Sequence, residues 1–526
     1  MSRPGLVALS ALVLAAPLAA QDHAHGEAAA LGAVSFPTSC STAAQPDLDR
    51  AAAMLHSFWF QQARDAFLAA ATADSTCAMA HWGVAMTLWG NPFVRQPIDP
   101  ERQKAGLAAA ERAAALAPKA THREQMYVDA ALALWRGADS LDHLQRFDRH
   151  EAAMRNLHEA HPDDTEATIF YGRAVIANAP PTDLTFGRQL YAASLLEPLF
   201  EAQPQHPGLA HYLIHAFDAP KLAAQGEAAA KRYASIAPAA PHALHMPSHI
   251  FTRLGYWDES IETNRRSAAA EPDSNAAVHP NDYLVYAYLQ QGRDAEARQV
   301  VARTESKSDQ FYGAILGYNA IAMPARFALE RSAWSEAAAL PVPAGAPYVV
   351  AVARFTRALG LARSGDTAAA TAEVTALAEL RDSLAGKKDS YWATIVDAQR
   401  LAASAWVAYA AGDTGEALTL AHEAAELEET VEKHPVTPGP LLPARELEGD
   451  LLMELGRPAD ALRAYEMTLL REPNRARTLY GAARAAEKSG AAAVARARYE
   501  ELSRLMAHAD ATRPEPKAAK EFLAGS

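Results

Sequence analysis

Apolar and polar positions alternate through most of this chain with the rhythm of amphipathic helices. The pattern is plainest toward the C-terminal end. Leu442 to Arg475 reads LPARELEGDLLMELGRPADALRAYEMTLLREPNR, and Ala476 opens a second unit, ARTLYGAARAAEKSGAAAVARARYEELSRL. Gly456 and Gly490, Ala461 and Ala495, and Tyr465 and Tyr499 stand 34 residues apart in the two units. The spacing predicts two helices per unit with a glycine turn between them. Small residues let the two helices cross closely, and one aromatic per hairpin fills the space between them. Pro473 closes the second helix, because proline cannot continue it.

Looser copies cover the rest. Leu55 to Ala73 reads as a turn and second helix, and Met79 to Leu88 opens another unit. Residues 101–117 and 143–160 form patterned helices ending before Pro118 and Pro162. Arg354 to Ala376 and Ala398 to Glu426 are further hairpins, with Gly365 and Gly412 at their turns. About ten to twelve hairpins fit the length at one per 34–45 residues. Strand-like alternation of period two is absent. The expected fold is all-α. The 34-residue unit resembles the tetratricopeptide repeat, and the resemblance implies a right-handed superhelical solenoid. The expected organisation is a signal segment at 1–20, a leader at 21–45, N-terminal repeats at 46–310, central repeats at 311–432, C-terminal repeats at 433–510 and a tail at 511–526.

Superimposed on this rhythm is a ladder of histidines. His211, His245 and His279 recur every 34 residues, and His215, His249 and Tyr283 recur beside them. Residues at i and i+4 share one helix face, so the ladders predict a wall of imidazoles. Pro238, Pro272 and the turn Leu254-Gly255 keep the same register. With repeat starts at Pro207, Pro241 and Asn275, the ladders occupy the fifth and ninth positions. The tetratricopeptide resemblance implies that these positions line a concave groove that takes a peptide. It places His242 at the second position and Asp218 and Thr252 at the twelfth, with Tyr283 in the same groove.

Two readings of this wall follow, the first the expected function and the second its alternative. One is a scaffold that binds a protein or peptide partner in the groove. The other is a metal-dependent enzyme or metal carrier whose ligands are His211, His215, His242, His245, His249 and His279. Neutral imidazole is the commonest transition-metal ligand, and the i,i+4 pairs His211/His215 and His245/His249 suit a single ion. Zinc or copper is the expected divalent ion. Duplication of one ancestral packing histidine explains the spacing without any ligand. Pro247 falls inside the second ladder helix, so that helix either starts there or kinks and frees the Ala243 carbonyl.

Other histidines are weaker candidates. His56 and His81 flank aromatic runs and read as packing residues, and His150, His158 and His161 read as surface. His434 lies in HPVTPGPLLP, a fold-back over the groove or a rigid linker. Gln21-Asp22-His23 offers a copper chelate at a free amine, or only a short leader; the leader is preferred. HExxH, GxSxG, Walker and dinucleotide motifs are absent.

Composition narrows the setting. The chain has 526 residues and a net charge of −13, which argues against nucleic acid as a partner. Arg3, the apolar run Leu6 to Leu18 and a small-residue cleavage site at Leu18-Ala19-Ala20, before Gln21, predict a cleavable export signal. The expected location is periplasmic or secreted, with no membrane insertion after cleavage. Cys40 and Cys77 are the only cysteines. In an exported chain they are expected to form one disulfide. The segments LHSFWF, CAMAHWGVAM, HYLIHAFDAP, HALHMPSHIFTRLGYWDESI and HPVTPGPLLPARELEGDLLMELGRP resemble a group of exported bacterial tetratricopeptide proteins. That resemblance implies a shared fold and carries no reaction with it.

Overall fold

The computed structural model describes residues 30–94, 98–272, 275–305 and 316–525. The expected signal segment, 1–20, and the Gln21-Asp22-His23 chelate lie outside the described residues. Among the described residues the regular structure is helical, without strands. Successive antiparallel helices stack on one another from Gln45–His56 to Pro514–Gly525 as an all-α solenoid of helical hairpins. Among the described residues, no helix is long and apolar enough to cross a membrane.

The C-terminal hairpins show why the sequence folds this way. Helices Ala444–Glu454 and Pro458–Arg471 form one unit, and Ala476–Lys488 and Ala492–Leu505 the next. The Tyr465 ring is buried between them. A Cβ at Gly449 would lie 2.8 Å from that ring, and one at Gly481 2.5 Å. Two glycines therefore make the slot, and the tyrosine fills it. The phenol donates to Asp450 Oδ1 at 2.6 Å, so the one polar atom of the plug is satisfied. Burying such a ring stabilises the unit by roughly 1.5–3 kcal/mol.

The array does not remain open. Gly255 adopts φ +69°, and a Cβ there would meet the Pro473 carbonyl at 2.5 Å. Only glycine lets the turn of the second histidine unit touch the C-terminal units. Nearby, Trp257 Nε1 donates to Asn474 O at 2.8 Å. Arg475 Nη1 reaches Glu330 Oε1 at 2.6 Å. Arg513, buried, pairs with Asp294 at 3.1 Å. The stretch set apart as a tail is helical over Pro514–Gly525 and packs on helix Ala492–Leu505, with Phe522 against Tyr499 at 4.6 Å.

At the other end, Cys40 and Cys77 form a disulfide with a Cα–Cα distance of 5.0 Å. It ties the N-terminal segment to the start of helix Ala78–Trp89. That segment crosses the ends of later helices, with Ala33 N donating to Gln205 O at 2.9 Å.

Candidate metal centre

The histidines sit on four helices of two adjacent hairpins and their neighbour. His211 and His215 lie on Pro207–Phe217, where Pro207 opens the helix at a position that needs no N–H. His242 and His245 lie on Pro241–His245, and His249 on Pro247–Leu254. His279 lies in the first turn of Val278–Gln290. Pro247 has no N–H for the Ala243 carbonyl, so the ladder helix divides at Met246 and restarts at the proline. The division lets His242 and His245 leave the axis that carries His249.

Six imidazoles gather into two groups. In each of His211/His215/His242 and His245/His249/His279, one potential ligand atom per residue lies within 4.8 Å of the others. The groups adjoin, with His215 and His249 ring centroids 5.9 Å apart and His242 and His245 6.1 Å apart. His211, His245 and His249 are buried, and His242 and His279 are half-buried. Beside the second group, His242, His245, His279 and Glu271 border a cleft of about 320 Å³.

Proton positions follow from the partners. His245 Nδ1 lies 2.7 Å from Asn264 Oδ1. The Asn264 amide is oriented by its Nδ2 donating to Ser260 O at 2.7 Å, so His245 Nδ1–H is the donor. His249 Nδ1–H donates to Asp218 Oδ2 at 2.8 Å. Both Nδ1 protons are thereby assigned, and each Nε2 carries a lone pair in the neutral ring. Yet the two Nε2 atoms face each other at 3.1 Å. In the first group His211 Nδ1 donates to the His56 carbonyl at 2.6 Å, and His211 Nε2 faces His242 Nε2 at 3.1 Å. The buried Nε2 of His215 and Nδ1 of His279 have no hydrogen-bond partner.

A further proton between His245 Nε2 and His249 Nε2 is disfavoured, whereas a neutral His242 protonated at Nε2 donates to His211 Nε2. Burial, reinforced by neighbouring imidazoles, holds His211, His215, His242, His245 and His279 well below the ordinary value of 6.5. Burial lowers His249 as well, although the Asp218 carboxylate opposes it. An ion resolves the same arrangement. Two nitrogens at 2.0–2.1 Å from a tetrahedral metal lie about 3.3 Å apart. The carboxylate, amide and carbonyl behind the rings are the outer partners that fix ligand histidines. These six residues therefore fit a resident transition metal.

Asp218 is a hub. Its carboxylate also accepts from Lys433 Nζ at 2.9 Å and Arg253 Nε at 3.0 Å. Those cations hold it well below the usual carboxylate range despite burial. Lys433 belongs to the proline-rich segment, which folds back over the histidine hairpins. Tyr283 OH donates to Thr437 O at 3.0 Å, and the buried Arg326 reaches the Pro440 and Gly439 carbonyls at 2.6 and 2.7 Å. His434 stacks on Trp392 there, 5.5 Å between centroids.

This corrects the open-groove expectation at these positions. Thr252 and Tyr283 are buried, and Thr252 turns to Ser260 Oγ at 3.3 Å inside its own hairpin. The fold-back segment covers the face at Tyr283, whereas His242, His245 and His279 still border the cleft. His150, expected at the surface, is buried; its Nδ1 meets Ala130 O at 2.8 Å, and burial lowers it to about 3. His158 and His161 are half-buried, and His158 bonds Thr168 Oγ1 at 2.9 Å.

The sequence reading missed a third group. Glu166 Oε2 lies 2.7 Å from His56 Nε2, and Oε1 lies 2.8 Å from His206 Nε2, all buried. His56 Nδ1 adds Tyr212 OH at 3.0 Å. Its facing polar atoms already have partners, so this cluster needs no ion. Its role is to fix His56, whose carbonyl holds His211. His206 precedes the repeat start at Pro207, where its N-cap place was readable; nothing marked Glu166.

No family model matches this sequence, and no curated protein matches it. Among solved structures, the chain is similar to one in the APC/C hetero-tetramer Cut9–Hcn1, with a TM-score of 0.34 and 11% identity over 90% of this chain and 76% of that one. It is also similar to the human IFIT1 dimer with PPP-AAAA, with a TM-score of 0.37 and 11% identity over 86% of this chain and 89% of that one. Neither likeness assigns an activity here.

Proposed function

We propose that this solenoid is a metal-dependent protein whose two three-histidine groups hold transition-metal ions beside a cleft. One observation carries the reading: His245 Nε2 and His249 Nε2, both left as lone pairs by their Nδ1 partners, face each other at 3.1 Å in a buried site. Such a pair is repulsive until a cation lies between the nitrogens.

The donor set narrows the ion. Six imidazoles and no carboxylate among the two groups suit zinc or copper rather than magnesium or calcium. An exported setting, in which Cys40 and Cys77 pair, fits both ions. Three protein nitrogens per ion leave a coordination position free, the arrangement of catalytic rather than structural sites. When bound, such an ion supplies Lewis acidity at the cleft wall. The chain's own work is orientation. Asp218, Asn264 and the His56 carbonyl each fix one ring, and Phe93 stacks on His215 at 3.8 Å and keeps water from it.

The test is metal analysis of protein purified without a histidine tag and dialysed after exposure to zinc or copper. The expected result is up to two ions per chain, with the second group's ion lost when His245→Ala and His249→Ala are combined. Absence of any stoichiometric ion from the parent protein overturns the reading.

A further inference from the structure

A second cavity, of about 790 Å³, lies between helix Ser390–Ala410, the fold-back segment 431–443 and the end of helix Pro458–Arg471. Tyr391, Trp392, Ile395 and Leu442 give it an aromatic and aliphatic wall. Its charged residues are unevenly matched. The four cations on the wall are all engaged. Arg253 pairs with Asp218 and Glu432, Lys433 with Asp218, Arg471 with Glu432, and Arg445 with Glu429 and Glu448. Two acids on the same wall, Glu428 and Glu472, form no ion pair among the described residues. Among the described residues Glu428 accepts from Ala444 N–H, at 2.8 Å.

Two acceptors are also unsatisfied. Glu472, 6% exposed, has a buried Oε2 without a hydrogen-bond partner. Gln399, 8% exposed, lines the same cavity with its buried Oε1 unpartnered. A buried acceptor left unpaired costs about 1–3 kcal/mol, so a cavity holding two is one that a donor-bearing ligand completes. Burial raises Glu472, and it pushes Glu428 up to about 7, with Glu472 adding to the effect. Burial is the main cause of both shifts, opposed by Arg253, Arg475, Arg471 and Lys433 at Glu472 and by Arg471 at Glu428.

We infer that this cavity binds an organic cation, an ammonium or guanidinium group with an apolar stem, its N–H donors meeting Glu472 Oε2 and Gln399 Oε1 beside Glu428. A phosphate or carboxylate ligand finds no free cation here, and the apolar wall suits a carbon stem. The cation comes either from a free amine or from the side chain of a lysine or arginine in a peptide. The cavity contains none of the six histidines, so titration with organic cations does not require an ion at theirs.

Calorimetric titration of the full chain with agmatine, cadaverine, tri-lysine peptide and inorganic phosphate reads this directly. The expected result is one-to-one binding of at least one organic cation. Binding by agmatine or cadaverine identifies a free amine, and binding by tri-lysine alone identifies a peptide side chain. Glu472→Gln is expected to weaken binding at least about tenfold, as loss of a buried charge partner does, with the melting temperature unchanged or higher. Gln399→Leu is a second variant expected to weaken it. Failure of all three organic cations at millimolar concentration, equal binding by Glu472→Gln, or binding of phosphate instead overturns the assignment.

Discussion

The second histidine hairpin and the penultimate C-terminal hairpin occupy the same repeat register yet solve opposite problems. Gly255 and Gly456 mark the turn of each, with φ of +69° and +70°. Counting back from those turns, Glu446 and Asp450 stand where His245 and His249 stand. Each pair faces inward. Glu446 is buried, and Arg475 Nε meets it at 2.7 Å, while Thr478 and Arg477 complete its shell. Asp450 accepts from Tyr465 and pairs with Arg477. The C-terminal unit thus brings its own counter-charges. The histidine unit points two lone pairs at each other. The same inner lane is closed by ion pairs in one place and left wanting a cation in the other.

The largest expected effect comes from acid. Histidines held below 6.5 in the fold take up protons on unfolding once the pH falls through the ordinary value. Stability of the metal-free protein therefore declines as pH drops below 6.5, by up to about 1.4 kcal/mol per pH unit for each such histidine. Burial raises Glu446, but Arg475 and Arg477 outweigh it and leave its carboxyl below 4.5, so its charge persists to lower pH. Hydrogen exchange at pH 5.5 should show protection lost first in residues 207–290 while 444–505 stays protected. Simultaneous loss in both regions contradicts the contrast.

Next in size is removal of counter-charge. Arg475→Met strands Glu446 and Glu330 in the interior and should cost about 3–5 kcal/mol, read as a fall in the denaturation midpoint. Combining His245→Leu with His249→Leu removes two facing acceptors but also the donors to Asn264 and Asp218, whose carboxylate keeps Lys433 and Arg253, and should cost about 1–3 kcal/mol of metal-free stability, less than Arg475→Met. A large loss from the double leucine variant indicates that the pair contributes stability without an ion.

A smaller effect separates the supports of the two pairs. Asp218→Asn and Asn264→Leu should each weaken zinc or copper binding about 10–100-fold, because they remove partners that orient His249 and His245. Asp450→Asn, at the matching lane of the C-terminal unit, should leave ion affinity unchanged. Competition titration against a chromophoric chelator distinguishes these outcomes.

Much of this was legible in the sequence because repeats report themselves by spacing. Tyr465 and Tyr499, the small residues Ala461 and Ala495 and the glycine turns marked the hairpins, and the 34-residue ladders marked five of the six histidines, with His242 added by its place in the repeat. Three things were not readable. Pairing of His245 with Asn264 depends on the second helix of the hairpin turning Asn264 inward. The Asp218–Lys433 contact joins residues 215 positions apart in sequence, set by the fold-back of a proline-rich stretch that reads equally well as a linker. His150 looked like a surface residue on a charged helix; its ring meets Ala130 O on the preceding helix His122–Trp135, which spacing along one element does not reveal. Burial of Thr252 and Tyr283 went unread for the same reason, since a groove position is concave only until another segment fills it.

Anomalous diffraction from crystals of the zinc- or copper-loaded protein, recorded on both sides of the metal edge, tests the central claim most directly. The account predicts a peak between His245 Nε2 and His249 Nε2, at about 2.0–2.1 Å from each, and a second within the His211/His215/His242 group. An empty map at both positions in loaded crystals, with the two nitrogens still about 3 Å apart, contradicts it.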